Sequence, residues 1–313
     1  MEHWKEEIEQ IQPDIIYGLL NFGAVPLAYE VLRAFPKIPF AWHFKEGPSV
    51  SLRMGDWEKL IYLYTYATVR IFLNKTVQQW FELFIPSGGL SFIMDGDLPK
   101  VDYFKDCFSS KLSDLDNAIH TVVAGRMIGI ADKELQTLAE NNVHIHLYTE
   151  NYHISRQTQL MHYKRIAPNH FHTHPHCAAP DWTKEFSQYD AGWLHCTESY
   201  NNGNLLKASW DDLNIPARIS TYATAGLPLI TRKTSGHIVA TQECIQELNI
   251  GVLFDDYTDL CTQLKDKERM AVLRQSMKRH RKKFSFDYYV PELIEIFRKA
   301  IILKKQENNG YTN

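Results

Sequence analysis

The chain has 313 residues, 44% of them hydrophobic and 23% charged, enough for two domains of ordinary size, each with its own core. A formal net charge of −3 removes the bulk electrostatic case for nucleic acid as a partner. No apolar run approaches the ~18–20 residues of a membrane span, the charged N-terminus has no secretory signal core, and five scattered cysteines without a C-x-x-C pair suit free thiols in a reducing compartment, so a cytoplasmic protein is expected.

In chain order, 15–20 (IIYGLL) reads as a strand, 24–35 as a small-residue helix and 38–44 (IPFAWHF) as a second strand. His43, Lys45 and Glu46 are expected just beyond that strand's end, where they could supply a base and phosphate contacts. Helical spacing over 57–66, a strand over 68–73, a helix over 76–84 and a strand over 90–94 follow. This rhythm implies parallel pairing through right-handed crossovers. Asp95–Gly96–Asp97 is either a turn at a hinge or a carboxylate pair facing a cleft. The polar stretch 95–117 reads as a linker between domains.

The rhythm restarts with strand 119–124 (IHTVVA), which runs into Gly125–Arg126. The glycine permits a tight turn, and a guanidinium placed there can hold a phosphate through paired hydrogen bonds. Helix 133–140, strand 143–148 (VHIHLY) and helix 155–166 lead to 169–177, NHFHTHPHC. Four histidines at every second position invite a metal-site reading. In a strand, residues i and i+2 stand ~6.6–7 Å apart, whereas zinc draws its ligand atoms to ~2.0–2.1 Å from one point. Two neighbours can converge on an ion, but four in line cannot. The stretch is therefore expected to be a buried parallel strand, its imidazoles packed beneath helices like His144 and His146. No metal is expected, and His174 or His176, at the strand's end, stands nearest a cleft.

A helix over 182–189 and a strand over 193–195 follow, and 190–203 (DAGWLHCTESYNNG) delivers Glu198 and a glycine- and asparagine-rich loop to the strand end. In 210–228 (WDDLNIPARISTYATAGLP) Pro216 and Gly226 bound a short helix over 217–225. Its N-terminus, at Ala217, offers free N–H groups to an anion. Arg218 in that first turn opposes the helix dipole, a cost that an anionic ligand offsets. Asp211, Asp212 and Asn214 either cap the helix or bind hydroxyls. Strand 228–230, helix 238–248, strand 251–254 and a mostly helical tail close the chain. The basic run 278–283 (KRHRKK) is a solvated helix face or a contact for anionic lipid or a diphosphate. These elements predict an α/β protein with two open domains, 1–115 and 116–285, and a helical tail over 286–313. The domains are expected to face each other across a cleft, with ligands at the C-terminal ends of the strands.

PARISTYATAGLPLI is similar to the segment P-x-K/R-x-x-E-Y-x-A-A-G-x-P-V-I of the GT-B glycosyltransferases of the large retaining family four. IHTVVAGR resembles that family's G-R after the first strand of the nucleotide-sugar domain, and the run from PDIIYGLL to FAWHFKEGP resembles its first domain. More narrowly, DGDLPK, HTVVAGR, YDAGWLH and WDDLNIPARI resemble a bacterial subgroup. The resemblance implies a GT-B type fold of two Rossmann-like domains, the first shortened because the chain reaches PDII by residue 13. It implies transfer of a sugar from a UDP- or GDP-linked donor to a carbohydrate or lipid-linked acceptor, with no metal or other cofactor. Arg126 and Arg218 would contact the diphosphate, with Gly125, Lys45, Glu46, Asn214 and Ala217 around the donor and His43 near the transferred sugar. Glu198 matches the first glutamate of the family's E-x7-E pattern. The second falls on Thr221, and the loop between them is longer than usual. These departures and the short first domain leave open a protein that binds a nucleotide, a sugar or a partner chain without turnover, as well as self-association and peripheral membrane contact.

Overall fold

The computed structural model describes residues 3–86, 88–149 and 154–310. They form two compact units: unit 1 takes Met1–Asp97, Ala208–Ile215 and Tyr289–Asn313, and unit 2 takes Leu98–Lys207 and Pro216–Tyr288. Each holds one parallel sheet. In unit 1, β1 (Ile16–Leu20), β2 (Phe40–Phe44), β3 (Val69–Phe72) and β4 (Leu90–Ile93) pair in chain order. Unit 2 contains β5 (Ile119–Ala124), β6 (Val143–Tyr148), β7 (Phe171–His174), β8 (Ala191–Trp193), β9 (Leu229–Arg232) and β10 (Gly251–Phe254), in the order β10-β9-β8-β5-β6-β7. All ten overlap predicted strands, with β8 two residues earlier than expected. The short helices Trp4–Ile11 and Pro48–Arg53 are not among the predicted elements.

Unit 1 is built on β2, every residue of which is buried, as a parallel strand covered on both faces must be. Trp42 meets Tyr64, Phe72 and Phe81 edge-on, while Tyr64 and Phe81 stack at 5.2 Å. The buried Arg70 is satisfied by carbonyls: Nε donates to Tyr64 O at 2.6 Å, Nη2 to Thr65 O at 2.7 Å and Nη1 to Gly88 O. Two of these belong to the C-terminal end of helix Trp57–Tyr66, the end at which a cation is favoured.

The unit boundaries depart from the expected domain limits. Residues 98–117 are not a free linker. Ser109 N donates to Ser187 Oγ and Ser109 Oγ to Lys184 O, both at 2.7 Å, and Leu112 N donates to Gln188 O at 3.0 Å. The basic run is neither wholly solvated nor free. Arg281, 4% exposed, donates to Phe104 O and Lys105 O at 2.6 Å, and Lys278 lies 4.3 Å above the Phe108 ring. Helix Phe286–Gly310 is not a separate tail either, because Tyr289 meets Phe92 and Phe297 meets Tyr17 within unit 1. Residues 311–313 of the expected tail lie outside the described residues.

The histidine-rich stretch supplies β7, which is an edge strand of its sheet and not a buried one. Parallel register sets His120 beside His144, His146 beside His172 and Tyr148 beside His174, so these side chains share one face. The opposite face carries Val143, Ile145, Leu147 and Phe171 into the main core. On the histidine face His120 and His146 are buried, while His144, His172 and His174 are half-buried. Burial, reinforced by neighbouring imidazoles, lowers His144 to about 4 and His146 to about 2. His144 and His146 are therefore neutral near pH 7, and the rings bond to one another: His120 Nδ1 to His146 Nε2 at 3.0 Å, His146 Nδ1 to His174 Nε2 at 2.9 Å, and His144 Nδ1 to His172 Nε2 at 3.0 Å.

Candidate functional site

The strand order of unit 2 reverses between β5 and β8, the topological switch point at which open α/β sheets bind ligands beyond the C-terminal strand ends. β5 exits into Gly125, whose φ of +94° lies where a side chain is disfavoured. A Cβ built there would stand 3.7 Å from Arg218 Nη2, so Gly125 and Arg218 are neighbours although 93 residues separate them in sequence. Arg126 follows, exposed. Gly125 and Arg126 line a recess of ≈ 260 Å³ together with Met127, Leu147, Gln159 and Tyr163.

Tyr222 holds this corner together. Its hydroxyl, fully buried, accepts from Ala124 N at 2.8 Å and lies 3.0 Å from Trp193 O, tying the ends of β5 and β8 to helix Arg218–Thr224. Its ring lies flat against Gly192, where an added Cβ would fall 2.6 Å from it. That close approach is why β8 carries a glycine at its centre. The helix starts at Arg218, one residue later than expected, and is only seven residues long, so the arginine supplies more of the local positive charge than the helix dipole does.

His195 continues β8. Burial, then the charges of Arg218 and Arg126, lower its pKa to about 4, which places both guanidinia within electrostatic reach of a neutral imidazole. Cys196, fully enclosed, is pushed up to about 12 by burial against the opposing pull of Arg218 and Arg232. Arg232, at the end of β9, pairs with Glu198 at 3.1 Å, and Glu198 also accepts from Tyr200 Oη at 2.6 Å. Among the described residues, Arg126 and Arg218 have no carboxylate partner. The loop after Glu198 is held by buried Asn201, which donates to Ile238 O at 2.8 Å and accepts from Ile238 N and Gly203 N at 3.0 Å. Gly125, Arg126, Glu198, Ala217, Arg218 and Thr221 all belong to unit 2; Thr221 is buried inside its helix. His195, Arg232 and Tyr222 were not singled out from the sequence. Their only signal is position: two at strand ends, and one inside the STYATAG segment.

His43, Lys45, Glu46 and Asn214 belong to unit 1. His43 lies within β2, not beyond its end, and is fully buried. Its Nδ1 is 2.7 Å from Tyr17 Oη, its Nε2 makes no well-aligned hydrogen bond, and burial lowers it to about 4 against smaller opposing effects of the Met94 backbone and Asp97. Lys45 pairs with Asp97 at 2.7 Å, which raises the lysine. Asp97 N donates to Asp95 Oδ1 at 3.0 Å, so the Asp-Gly-Asp stretch is a turn, with Asp95 raised to about 6 by burial. Asp212 accepts from Ser209 N and Oγ in a capping box on helix Trp210–Leu213, and Asn214 ends that helix. Asp212 is thus a capping residue of the preceding helix, not of Arg218–Thr224.

No family model matches the chain, and no curated protein does. Solved structures do. Sucrose-phosphate synthase from Thermosynechococcus elongatus is similar at a TM-score of 0.66 and 11% identity, over 96% of this chain and 77% of that one. UGT2 from Phytolacca americana, complexed with UDP-2-fluoro-glucose and pterostilbene, gives 0.51 and 11% over 94% and 78%. A UDP-N-acetylglucosamine 2-epimerase from Listeria monocytogenes gives 0.50 and 12% over 87% and 70%. At such identities the likeness is one of fold: the chain has the two-sheet α/β architecture of GT-B glycosyltransferases.

Proposed function

We propose that unit 2 binds a nucleoside-diphosphate sugar and that the protein transfers its glycosyl group to a carbohydrate or lipid-linked acceptor. The observation that carries this reading is the convergence of Arg126, Arg218 and neutral His195 at the switch point of a doubly wound sheet, with neither arginine neutralised by a carboxylate. The UDP-sugar in the UGT2 complex and the substrate class named for the epimerase support a uridine diphosphate as the anion.

On this reading the guanidinia bind the diphosphate and stabilise the charge it gains as the glycosidic bond breaks. That charge compensation is preorganised, because Arg218 sits on a helix pinned by Tyr222. In this role the arginines supply the counter-charge that a metal ion provides in other transferases. His195, uncharged, orients the donor by hydrogen bonding. In unit 1, His43 carries a buried Nε2 without a good partner. Such groups are rare unless a ligand or water satisfies them.

Titration calorimetry with UDP and GDP tests the binding step, and release of nucleoside diphosphate from UDP- and GDP-sugars tests turnover. Binding that Arg218→Ala weakens strongly, with release in the presence of acceptor, is the expected result; no affinity for either nucleotide sinks the proposal. Binding without release would favour a non-catalytic sugar-nucleotide protein. Thr221 at the family's second glutamate position and the engagement of Glu198 by Arg232 motivate that second reading.

A further inference from the structure

The histidine face of β5, β6 and β7 plays no part in the proposed sugar-nucleotide site. One nitrogen from each of His120, His144 and His146 lies within 4.8 Å of the other two. Spacing along a single strand forbids such convergence, but neighbouring strands are only ~4.7–4.9 Å apart, and three imidazoles from β5 and β6 meet across that gap.

The outer nitrogens of these rings are already engaged. His120 Nε2 is 3.0 Å from the Asp116 carboxylate, His146 Nδ1 is 2.9 Å from His174 Nε2, and His144 Nδ1 is 3.0 Å from His172 Nε2. This leaves His120 Nδ1, His146 Nε2 and His144 Nε2 as the inner set. The arrangement matches the carboxylate– and imidazole–histidine pairs that orient metal ligands and fix their tautomers. The first two inner nitrogens are 3.0 Å apart and share a proton. Around a tetrahedral ion with ligand distances of ~2.0–2.1 Å they would separate to about 3.3 Å, a shift of a few tenths of an ångström. The proton held between them moves to His146 Nδ1 as His174 shifts its own proton from Nε2 to Nδ1, so the network changes tautomer and loses no proton. With Nδ1–H of His146 donating to His174, its Nε2 lone pair faces inward, as does that of His120 when Nε2–H donates to Asp116.

We propose that His120 Nδ1, His146 Nε2 and His144 Nε2 form a three-imidazole site for a divalent ion of the zinc class, with water as fourth ligand on the half-exposed side of His144. Neutral nitrogen donors and a coordination number of four suit Zn(II) and Co(II), and the absence of an inner oxygen ligand disfavours Mg(II) and Ca(II). In the ion-free state the same rings close on one another through hydrogen bonds, which explains how so many imidazoles share one sheet face.

The test uses the full chain, stripped with a chelator and titrated with Zn(II) by calorimetry and with Co(II) by visible absorption. One ion per chain, intense tetrahedral Co(II) bands and a Zn(II)-dependent rise in melting temperature are expected. Asp116→Asn, at a side chain 49% exposed, should weaken Zn(II) by roughly 10–100-fold, and His144→Gln by more. His280→Gln, on helix Lys267–His280, should change nothing. Retained melting transitions of the ion-free variants show that they fold. Pale octahedral Co(II) spectra, substoichiometric binding, or equal affinity in wild type and His144→Gln would each overturn the site. UDP affinity should be the same with and without Zn(II), so failure here is distinguishable from failure of the sugar-nucleotide proposal.

Discussion

At the C-terminal ends of β5, β8 and β9, three guanidinia gather around His195 and Cys196 with a single carboxylate, Glu198, paired to one of them. On the face of β5, β6 and β7, five imidazoles answer one another nitrogen to nitrogen. Both groups are polar and both belong to one sheet. Arg218 reaches the Trp193 carbonyl at 3.5 Å and Arg126 is exposed, and neither has a carboxylate partner among the described residues, so charge is left over there. The histidines satisfy one another through hydrogen bonds, so only a ligand that competes for lone pairs can enter. Charge left over and hydrogen bonds closed off mark two different kinds of site.

Acid should separate the two most strongly. In the folded chain His144 is lowered to about 4, His146 to about 2 and His195 to about 4, with His172 and His174 also lowered, all from 6.5 and all with burial as the largest cause. The folded state then binds fewer protons than the unfolded chain below pH ~6.5, so stability rises with pH there. It is fully present above about 6.5 and is lost as pH falls toward 4. Unit 1 carries one such group, His43, lowered to about 4. In the presence of a chelator, protection of backbone amides relative to their intrinsic exchange rates should fall between pH 7 and pH 5 in β5, β6 and β7 well before it does in β1–β4. Equal loss of protection in both sheets would show that the imidazole network is not the acid-sensitive element.

Next in size is the arginine corner. Charge-assisted hydrogen bonds are worth about 1.5–3 kcal/mol, so Arg218→Ala should weaken UDP by roughly 10–150-fold while leaving the Zn(II) affinity unchanged. Arg218→Lys should recover only part of it, because an ammonium lacks the paired donors of a guanidinium. Tyr222→Phe acts on the support. It leaves Ala124 N without its acceptor, at a cost of about 1–3 kcal/mol in stability, read as a lower melting temperature. Gly192→Ala forces the Tyr222 ring away and should cost a similar ~1–3 kcal/mol through overpacking.

These variants also show what the sequence could reveal. Strand existence was legible throughout because strands such as TVRIFL and IHTVVA are short runs dominated by β-branched and other apolar residues. Gly125–Arg126 and Arg218 were legible because each sits at a fixed offset from a strand end or a helix start. Tyr222, His195 and Arg232 were not, since each matters only once β5, β8 and β9 are side by side. The approach of His120, His144 and His146 to one another was hidden for a related reason. Spacing along β7 was considered, whereas the convergence runs across β5 and β6, a distance set by register that no single segment encodes. Asp212 was assigned to the wrong helix because a short helix, Trp210–Leu213, intervenes.

The smallest effect bears most directly on Glu198. Its pair with Arg232 is half-exposed, with side chains 33% and 50% accessible, and exposed pairs contribute about 0–1 kcal/mol. Glu198→Gln should therefore barely change the melting temperature. It also releases Arg232 from its partner, which leaves a third free guanidinium beside Arg218. UDP, which carries the diphosphate but no sugar, should bind Glu198→Gln equally well or a few-fold tighter. A UDP-sugar should lose that gain if Glu198 contacts a sugar hydroxyl, as the glutamate pattern implies. Weaker binding of UDP itself to Glu198→Gln would mean that the Glu198–Arg232 pair positions the loop 198–204 for the diphosphate. The difference between the two ligands thus assigns Glu198 either to the sugar or to the loop.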